Sequence, residues 1–427
     1  MKTVTVKPSE LSGKILVPPS KSMAHRSIIC AFLSEGTSSI DNIELSDDII
    51  ATCGAVEALG AEIDIVEGSV RGRKKLIIHG TGSVNVKKER IDCGESGSTA
   101  RFIIPISRLS GEKTVIDGRG KLVERPFDVF FPIFDAQNIG YRTDHGKLPL
   151  VLEGSLKPGE FRVRGDVSSQ FISGLLFALP LLPGNSTIIP TTRLESAGYI
   201  DMTIEMQKRF GILIHFDRER NIIEIPGWQR YIPQNYIVEG DWSQAAFWLV
   251  AGALTGPVSV EGLNIDSTQG DKVIETVLKD MGADISWDDG VLMARGSALN
   301  GISVDVSQFP DLLPVLAVAG AYAEGKTVLY NAARLRIKES DRLRAIATEL
   351  KAVGADVTEL EESLEITGKQ SLAGGRVYGW NDHRIVMSAA VMASKCRKNV
   401  TIEGSEAVNK SYPAFWEHYA GLGGRII

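Results

Sequence analysis

The stretch Ser20-Lys21-Ser22-Met23-Ala24-His25-Arg26, running directly into SIICAFLSEG over residues 27–36, sets the pattern of the whole chain. A short polar and basic cluster opens onto an apolar run with small residues mixed in, which reads as a helix buried on every side. Five further stretches repeat the arrangement: ESGSTAR (95–101) before FIIPISRLSG, VSSQ (167–170) before FISGLLFALPLLPG, GDWSQ (240–244) before AAFWLVAGALTG, FPD (309–311) before LLPVLAVAGAYAEG, and NDHR (381–384) before IVMSAAVMASKC. The mouth of a buried helix presents free N–H groups and the positive end of the macrodipole, and both attract anions. One such cluster is ordinary capping. Six in phase call for more, because capping has no use for Lys21, Arg26, Arg101 and Arg384.

The runs belong to a repeat. Gly36, Gly111, Gly184, Gly256 and Gly325 each close an apolar run ahead of a strand-like segment, at intervals of 69 to 75 residues; Lys398-NVTI is a sixth copy without the glycine. A second series, Gly60, Gly140, Gly211, Gly282, Gly354 and Gly424, closes amphipathic helices, where a left-handed cap is expected. Each is followed by a strand–turn–strand pattern, clearest in ADISWDDGVLMARG and ADVTELEESLEITG. The unit is therefore strand, buried helix, strand, amphipathic helix, hairpin, repeated six times. The last copy ends at Gly-Gly-Arg-Ile-Ile before its second hairpin strand, and Thr3–Val6 offers a spare strand to complete it. The expected architecture is α/β, with three repeats per domain: residues 1–19 plus 239–427 as domain I, and 20–238 as domain II.

Composition sets bounds. A chain of 427 residues with 43% apolar content can bury two cores. A net charge of -6 argues against a nucleic-acid surface and makes any basic site local. Cys30, Cys53, Cys93 and Cys396 show no CxxC spacing, so neither a zinc site nor a disulfide framework is expected, and a reducing cytoplasm fits. The opening residues lack a signal-peptide core, and the longest apolar run, Phe171–Leu182, is too short for a bilayer.

Several motifs fail on context. Gly320–Thr327 matches the phosphate-loop pattern, but a buried helix precedes it and a strand follows, the reverse of what that loop needs. His383 has no HxH or HExxH partner, so a metal role is not expected. Cys93 reads as a small core thiol. By contrast, Arg334, Arg336, Lys338, Arg342 and Arg344 crowd the entry of an amphipathic helix against its dipole. A broken local rule of that kind points to a site. Lys21, Arg26, Arg101 and Arg125 in one half, and Lys338, Arg342, Arg384 and Lys410 in the other, suit ligands with several phosphate and carboxylate charges. Asp311 and Glu339 among them are the natural proton carriers.

PPSKSMAHR, ESGSTAR, VERP, VSSQF, ESAGYID, EGDWSQAA, FPD, IKESDRL, NDHR and NKSYP together resemble the 5-enolpyruvylshikimate-3-phosphate synthase family in order and spacing, over essentially the whole chain. The resemblance implies the enolpyruvyl transferase fold, a two-domain inside-out α/β barrel. It implies a cytoplasmic, monomeric transferase of chorismate and aromatic amino acid biosynthesis, with no cofactor or metal. Lys21, Ser22, Arg26, Ser168, Ser169, Gln170, Ser196, Tyr199, Asp311 and Lys338 would hold shikimate 3-phosphate. Lys21, Gly97, Arg125, Gln170, Arg342, Arg384 and Lys410 would hold phosphoenolpyruvate. The 5-hydroxyl of the first would attack the enol carbon of the second, with phosphate leaving. Asp311 would take the hydroxyl proton, and Glu339, with Lys21, Lys338 or His383, would protonate the methylene carbon. Glu95, Ser96 and Arg334 depart from common family residues.

Two rivals are weighed by single features. The sister enzyme acting on UDP-N-acetylglucosamine usually carries a cysteine shortly before the Arg-Pro of its loop, whereas Gly118–Pro126 here has none. A non-catalytic sensor of anions would gain nothing from Asp311 and Glu339 in its site.

Overall fold

The six apolar runs form the helices Lys21–Leu33, Gly97–Ser107, Ser169–Ala178, Trp242–Leu254, Leu313–Tyr322 and His383–Ser394. Leu313–Tyr322 buries every residue, as a helix with no polar face must. Four of these helices open on a side-chain cap that accepts a first-turn N–H, supplied by Ser96, Ser168, Asp241 and Asp382. The computed structural model describes all residues, Met1–Ile427, and they divide into two compact units: Met1–Ser20 with Glu239–Ile427, and Lys21–Val238.

Each unit holds three four-stranded sheets built on one plan. In the second copy Arg90–Asp92 runs parallel to Thr114–Asp117, and the buried helix is the crossover between them. The hairpin of Gly140–Asp144 and Lys147–Glu153 then adds antiparallel to Thr114–Asp117. The third and fifth copies have the same order, with Glu160–Val163 beside Ser186–Pro190 and Ser303–Asp305 beside Lys326–Tyr330.

The remaining copies borrow strands from distant chain. Thr3–Lys7 pairs antiparallel with both Val400–Glu403 and Arg425–Ile426, and so supplies the hairpin strand that the sixth copy lacks. Gly13–Leu16 lies parallel to Val258–Glu261 as the first strand of the fourth copy. In the other unit Asn235–Ile237 lies parallel to Glu35–Ile43 and opens the sheet of the first copy. Each unit is thus closed by chain from its far end.

Where two buried helices meet, side-chain volume is removed. A Cβ at Gly174 would lie 2.2 Å from the Arg101 carbonyl oxygen, so only glycine permits the third helix to approach the second this closely. Beside that contact Phe102 and Phe177 meet edge to face at 5.3 Å. Two caps differ from expectation: in the second copy Asn138 takes the left-handed conformation at φ 54° and Gly140 instead begins the following strand, and in the sixth the positive φ falls on Gly423, at 90°, rather than on Gly424. Asparagine tolerates that region because its short amide bonds locally.

Candidate active site

In the unit containing the C-terminus, Arg342 is the centre of a buried charge cluster. Its side chain is 1% exposed and donates Nε to Asp382 Oδ2 at 2.8 Å, Nη1 to Asp311 Oδ1 at 2.8 Å, and Nη2 to Glu339 Oε2 at 2.5 Å. A fourth bond runs from Nη2 to Asp382 Oδ1 at 3.3 Å. Arg384 grips Asp311 from another side, donating Nη2 to its Oδ2 and Nη1 to its backbone oxygen, each at 3.0 Å. Lys338 Nζ lies 3.6 Å from Asp311 Oδ1. Three of the crowded cations of residues 334–344 are thus compensated by acids, most of them from the same repeat, with Asp382 reaching in from the next one. Arg336, the outlying member, pairs with Asp341 and Glu359.

These contacts set the proton chemistry. Desolvation works to raise the Asp311 carboxyl, but Arg384, Lys338 and Arg342 outweigh it and hold the group well below the usual carboxylate range. Desolvation lowers Lys338 to about 8, with Asp311 opposing and Arg334 and Arg342 assisting. A lysine in that range can hand over a proton near neutrality. Behind Asp311, burial and then repulsion from Asp311 push Asp271 up to about 6, against the pull of Arg384.

The mouth of the last buried helix gathers the other predicted groups of this unit. Asp382 caps it, accepting from Arg384 N–H at 3.0 Å and from Ser340 Oγ at 3.0 Å. His383 is buried in the first turn. Lys410 Nζ donates to the Asn381 oxygen at 2.8 Å, which brings it to the same turn. No cluster of three or more His, Cys, Asp or Glu forms a metal-binding arrangement.

In the unit Lys21–Val238 most of the predicted residues occupy the mouths of its three buried helices, while Ser196 and Tyr199 open the helix Ala197–Arg209 and Arg125 follows the turn Gly120–Glu124. Lys21 Nζ pairs with Asp48 Oδ2 at 2.6 Å. Arg26 is committed within the chain, donating Nε to Thr203 Oγ1, Nη1 to the Ser22 oxygen and Nη2 to the Tyr199 oxygen, each at 2.9 Å. That ties Ser22 and Tyr199 into one corner. Ser196, just before Tyr199, holds a left-handed backbone at φ 53°, a strained setting of the kind found at functional sites.

Gln170 bridges the second and third helices. Its Oε1 accepts from Arg101 Nη1 at 2.8 Å and its Nε2 donates to Ser98 Oγ at 2.7 Å. Ser168 caps its helix and Ser169 is buried in the first turn. Arg125 closes over Gly97: a Cβ there would lie 2.5 Å from Arg125 Nη1 and 3.2 Å from Arg101 Nη1. Two guanidinium groups thus abut the start of a helix, which together make an anion cradle.

The profile of a known family, EPSP synthase (3-phosphoshikimate 1-carboxyvinyltransferase), matches residues 5–419. The chain belongs to the EPSP synthase family. It is 50% identical over 426 residues to the 3-phosphoshikimate 1-carboxyvinyltransferase of Clostridium kluyveri, covering 100% of this chain and 98% of that protein. The Clostridium acetobutylicum protein of the same name is 51% identical over 427 residues, with the same coverage. Among solved structures, EPSP synthase from Acinetobacter baumannii superposes with a TM-score of 0.83 at 28% identity, covering 100% of both chains. An enolpyruvyl transferase from Streptomyces tendae shares the fold, with a TM-score of 0.80 at 17% identity, covering 100% of this chain and 98% of that one.

Sequence reasoning missed three acids: Asp382, Asp48 and Asp271. The first had a readable signal, an acidic cap one residue before His383 and Arg384. The other two had none, since the pairing of Lys21 with Asp48 joins separate helices. Cys93 is wholly buried and its thiol is pushed up by burial and then by Asp92 and Asp117, the state of a core residue rather than a nucleophile.

Proposed function

We propose that this chain transfers the enolpyruvyl group of phosphoenolpyruvate to the 5-hydroxyl of shikimate 3-phosphate, releasing phosphate. The single observation that carries the reading is the Arg342 cluster, in a chain that belongs to this family. Two acids, Asp311 and Glu339, share one buried guanidinium with a lysine of lowered basicity alongside. Addition of an alcohol to an enol requires one group to take a proton and another to give one.

In the unit Lys21–Val238, Lys21, Ser22, Arg26, Ser168, Ser169, Gln170, Ser196 and Tyr199 contact shikimate 3-phosphate, and Lys21, Gly97, Gln170 and Arg125 contact phosphoenolpyruvate. In the other unit, Asp311 and Lys338 serve the first substrate, and Arg342, Arg384 and Lys410 the second. The substrate hydroxyl gives its proton to Asp311 as its oxygen bonds to the enol carbon. The methylene carbon takes a proton from Glu339, assisted by Lys21, Lys338 or His383. Loss of phosphate with return of a methyl proton then regenerates the enol. The reading includes a monomer in the cytoplasm, in keeping with four buried free cysteines.

The test is phosphate release with both substrates together and with each alone. Release that requires both supports the assignment. Release from phosphoenolpyruvate alone, or turnover with UDP-N-acetylglucosamine instead, refutes it.

A further inference from the structure

The first turn of the helix Gly97–Ser107 is tied to a buried histidine through a chain of hydroxyls. His25 Nδ1 lies 2.7 Å from Thr52 Oγ1, and Thr52 Oγ1 lies 2.6 Å from Thr99 Oγ1. Thr99 Oγ1 donates to Ser96 Oγ at 2.8 Å, and Ser96 Oγ also accepts the Thr99 N–H at 3.2 Å as the helix cap. All four side chains are buried. They come from the helices Lys21–Leu33, Asp47–Ala58 and Gly97–Ser107 and from the cap of the last.

A hydroxyl has a single proton to donate. Thr99 gives its proton to Ser96, so the short contact with Thr52 is a donation by Thr52. Thr52 Oγ1 also donates toward the Asp48 carbonyl oxygen at 3.3 Å, so whether its one proton serves Thr99 or Asp48 it is not available to His25. Thr52 in turn accepts from His25 Nδ1–H. The imidazole is fixed as the neutral Nδ1–H tautomer, and burial, Lys21 and Arg26 all disfavour its protonation. Its Nε2 is buried without a hydrogen-bond partner. An unpaired buried nitrogen weakens a fold relative to an apolar side chain, so packing gives no reason for a histidine here.

The reason lies at the other end of the chain of bonds. The Gly97 turn carries the two abutting guanidinium groups of Arg125 and Arg101, and its placement depends on the Ser96 cap. We propose that His25, Thr52, Thr99 and Ser96 form a positioning device that holds the Gly97 turn in register for phosphoenolpyruvate. The proposal rests on the assignment of Gly97 and Arg125 to that substrate. Thr52 and Thr99 touch neither substrate in that assignment, so they act only through the cap.

The experiment compares Thr52→Val and Thr99→Val, which keep shape and remove the hydroxyl, with Thr52→Ser and Thr99→Ser, which keep the hydroxyl. The expected result is a rise in KM for phosphoenolpyruvate of about threefold to tenfold in each valine variant, the loss of roughly one hydrogen bond. The KM for shikimate 3-phosphate and kcat stay near wild type, and the serine variants restore the wild-type KM. An unchanged KM for phosphoenolpyruvate in a folded valine variant overturns the proposal. So does a joint rise in both KM values, the mark of general loosening. Wild-type turnover with both substrates is the control, and its failure would refute the functional assignment instead. If neither valine variant folds, nitrogen NMR of His25 in the wild-type protein decides. The proposal requires an Nδ1–H tautomer that does not titrate near neutrality, and an Nε2–H tautomer or a titrating ring overturns it.

Discussion

Gly97 and Gly174 both pack against Arg101, yet replacing each with alanine has opposite consequences. At Gly97 the new methyl lies 2.5 Å from Arg125 Nη1, about 1 Å inside ordinary contact, and what it meets is the movable tip of a long side chain. At Gly174 it lies 2.2 Å from the Arg101 carbonyl oxygen, with Pro105 Cγ at 3.1 Å, and what it meets is helix backbone. The first clash is relieved by swinging a guanidinium aside; the second only by parting two helices. For Gly174→Ala, overpacking costs about 3 kcal/mol, offset by about 1 kcal/mol of helix propensity, leaving a loss of about 2 kcal/mol. For Gly97→Ala, where only a side-chain tip must move, stability is expected to change by about 1 kcal/mol or less, but the displaced Arg125 would lose a charge-assisted bond to the phosphoenolpyruvate proposed for it, about 1.5–3 kcal/mol. That is a rise in KM for phosphoenolpyruvate of about tenfold to a hundredfold. Urea denaturation and steady-state kinetics on both variants make the comparison. A destabilised Gly97→Ala with normal KM, or a Gly174→Ala as stable as wild type, would refute the distinction between movable tip and fixed backbone.

Asp311→Asn keeps the shape and removes the proposed base, so kcat is expected to fall by about 10²–10⁴-fold with shikimate 3-phosphate binding largely kept; activity within a few-fold of wild type would place the base elsewhere. Because the folded carboxyl is held low, its stabilisation is present above the ordinary carboxylate range and is lost as pH falls through the lowered value. The acid limb of a stability–pH curve should therefore flatten in this variant. For Lys338, kcat/KM, which reports the free enzyme, is expected to fall above the lysine value of about 8. Lys338→Arg should move that limb upward, and a flat profile to the ordinary lysine range would remove Lys338 from the chemistry. Asp382→Ala should cost roughly 3–5 kcal/mol, since it strips a buried guanidinium of one partner, whereas Asp382→Asn, still an acceptor, should cost about 1–2 kcal/mol. Fluorescence follows this unit, which holds Trp242, Trp248, Trp287, Trp380 and Trp416, and equal losses in the two variants would show that charge is not what anchors Arg342.

The fold was legible wherever the signal was periodic and local. The apolar runs that become buried helices, the glycine intervals and the unpaired Thr3–Val6 strand all follow from counting residues. The role of Asn235–Ile237 was not legible, because three residues carry no period of their own and their partner strand lies at Glu35–Ile43. The cap at Asn138 was hidden by the nearby Gly140, the better left-handed residue by composition alone. At the site, residue type announced the cations, because a basic helix entry breaks a local rule. Their partners obey no local rule: Arg342 meets Asp382 forty positions on and Asp311 thirty-one back. Arg26 shows the same limit, since a residue read as a ligand also donates three bonds within its own unit.

The pairing of acids with cations bears on how Asp311 would work as the base proposed for it. A carboxyl held well below its usual range is a weak proton acceptor. Of the five N–H groups of Arg342, four already serve Asp382, Asp311 and Glu339, so an oxyanion arriving there finds one N–H unless a carboxylate yields. Arg384 is likewise engaged with Asp311 through both Nη atoms. An incoming phosphate or carboxylate therefore competes with Asp311 for the very cations that suppress its basicity. A ligand that drew Arg342 and Arg384 away would weaken the charges that hold the carboxyl low, while desolvation, which raises it, would remain. If Asp311 is the base and phosphoenolpyruvate the anion at Arg342 and Arg384, as proposed, arrival of the second substrate strengthens the base, and proton removal from the 5-hydroxyl is favoured only when the enol it must attack is in place.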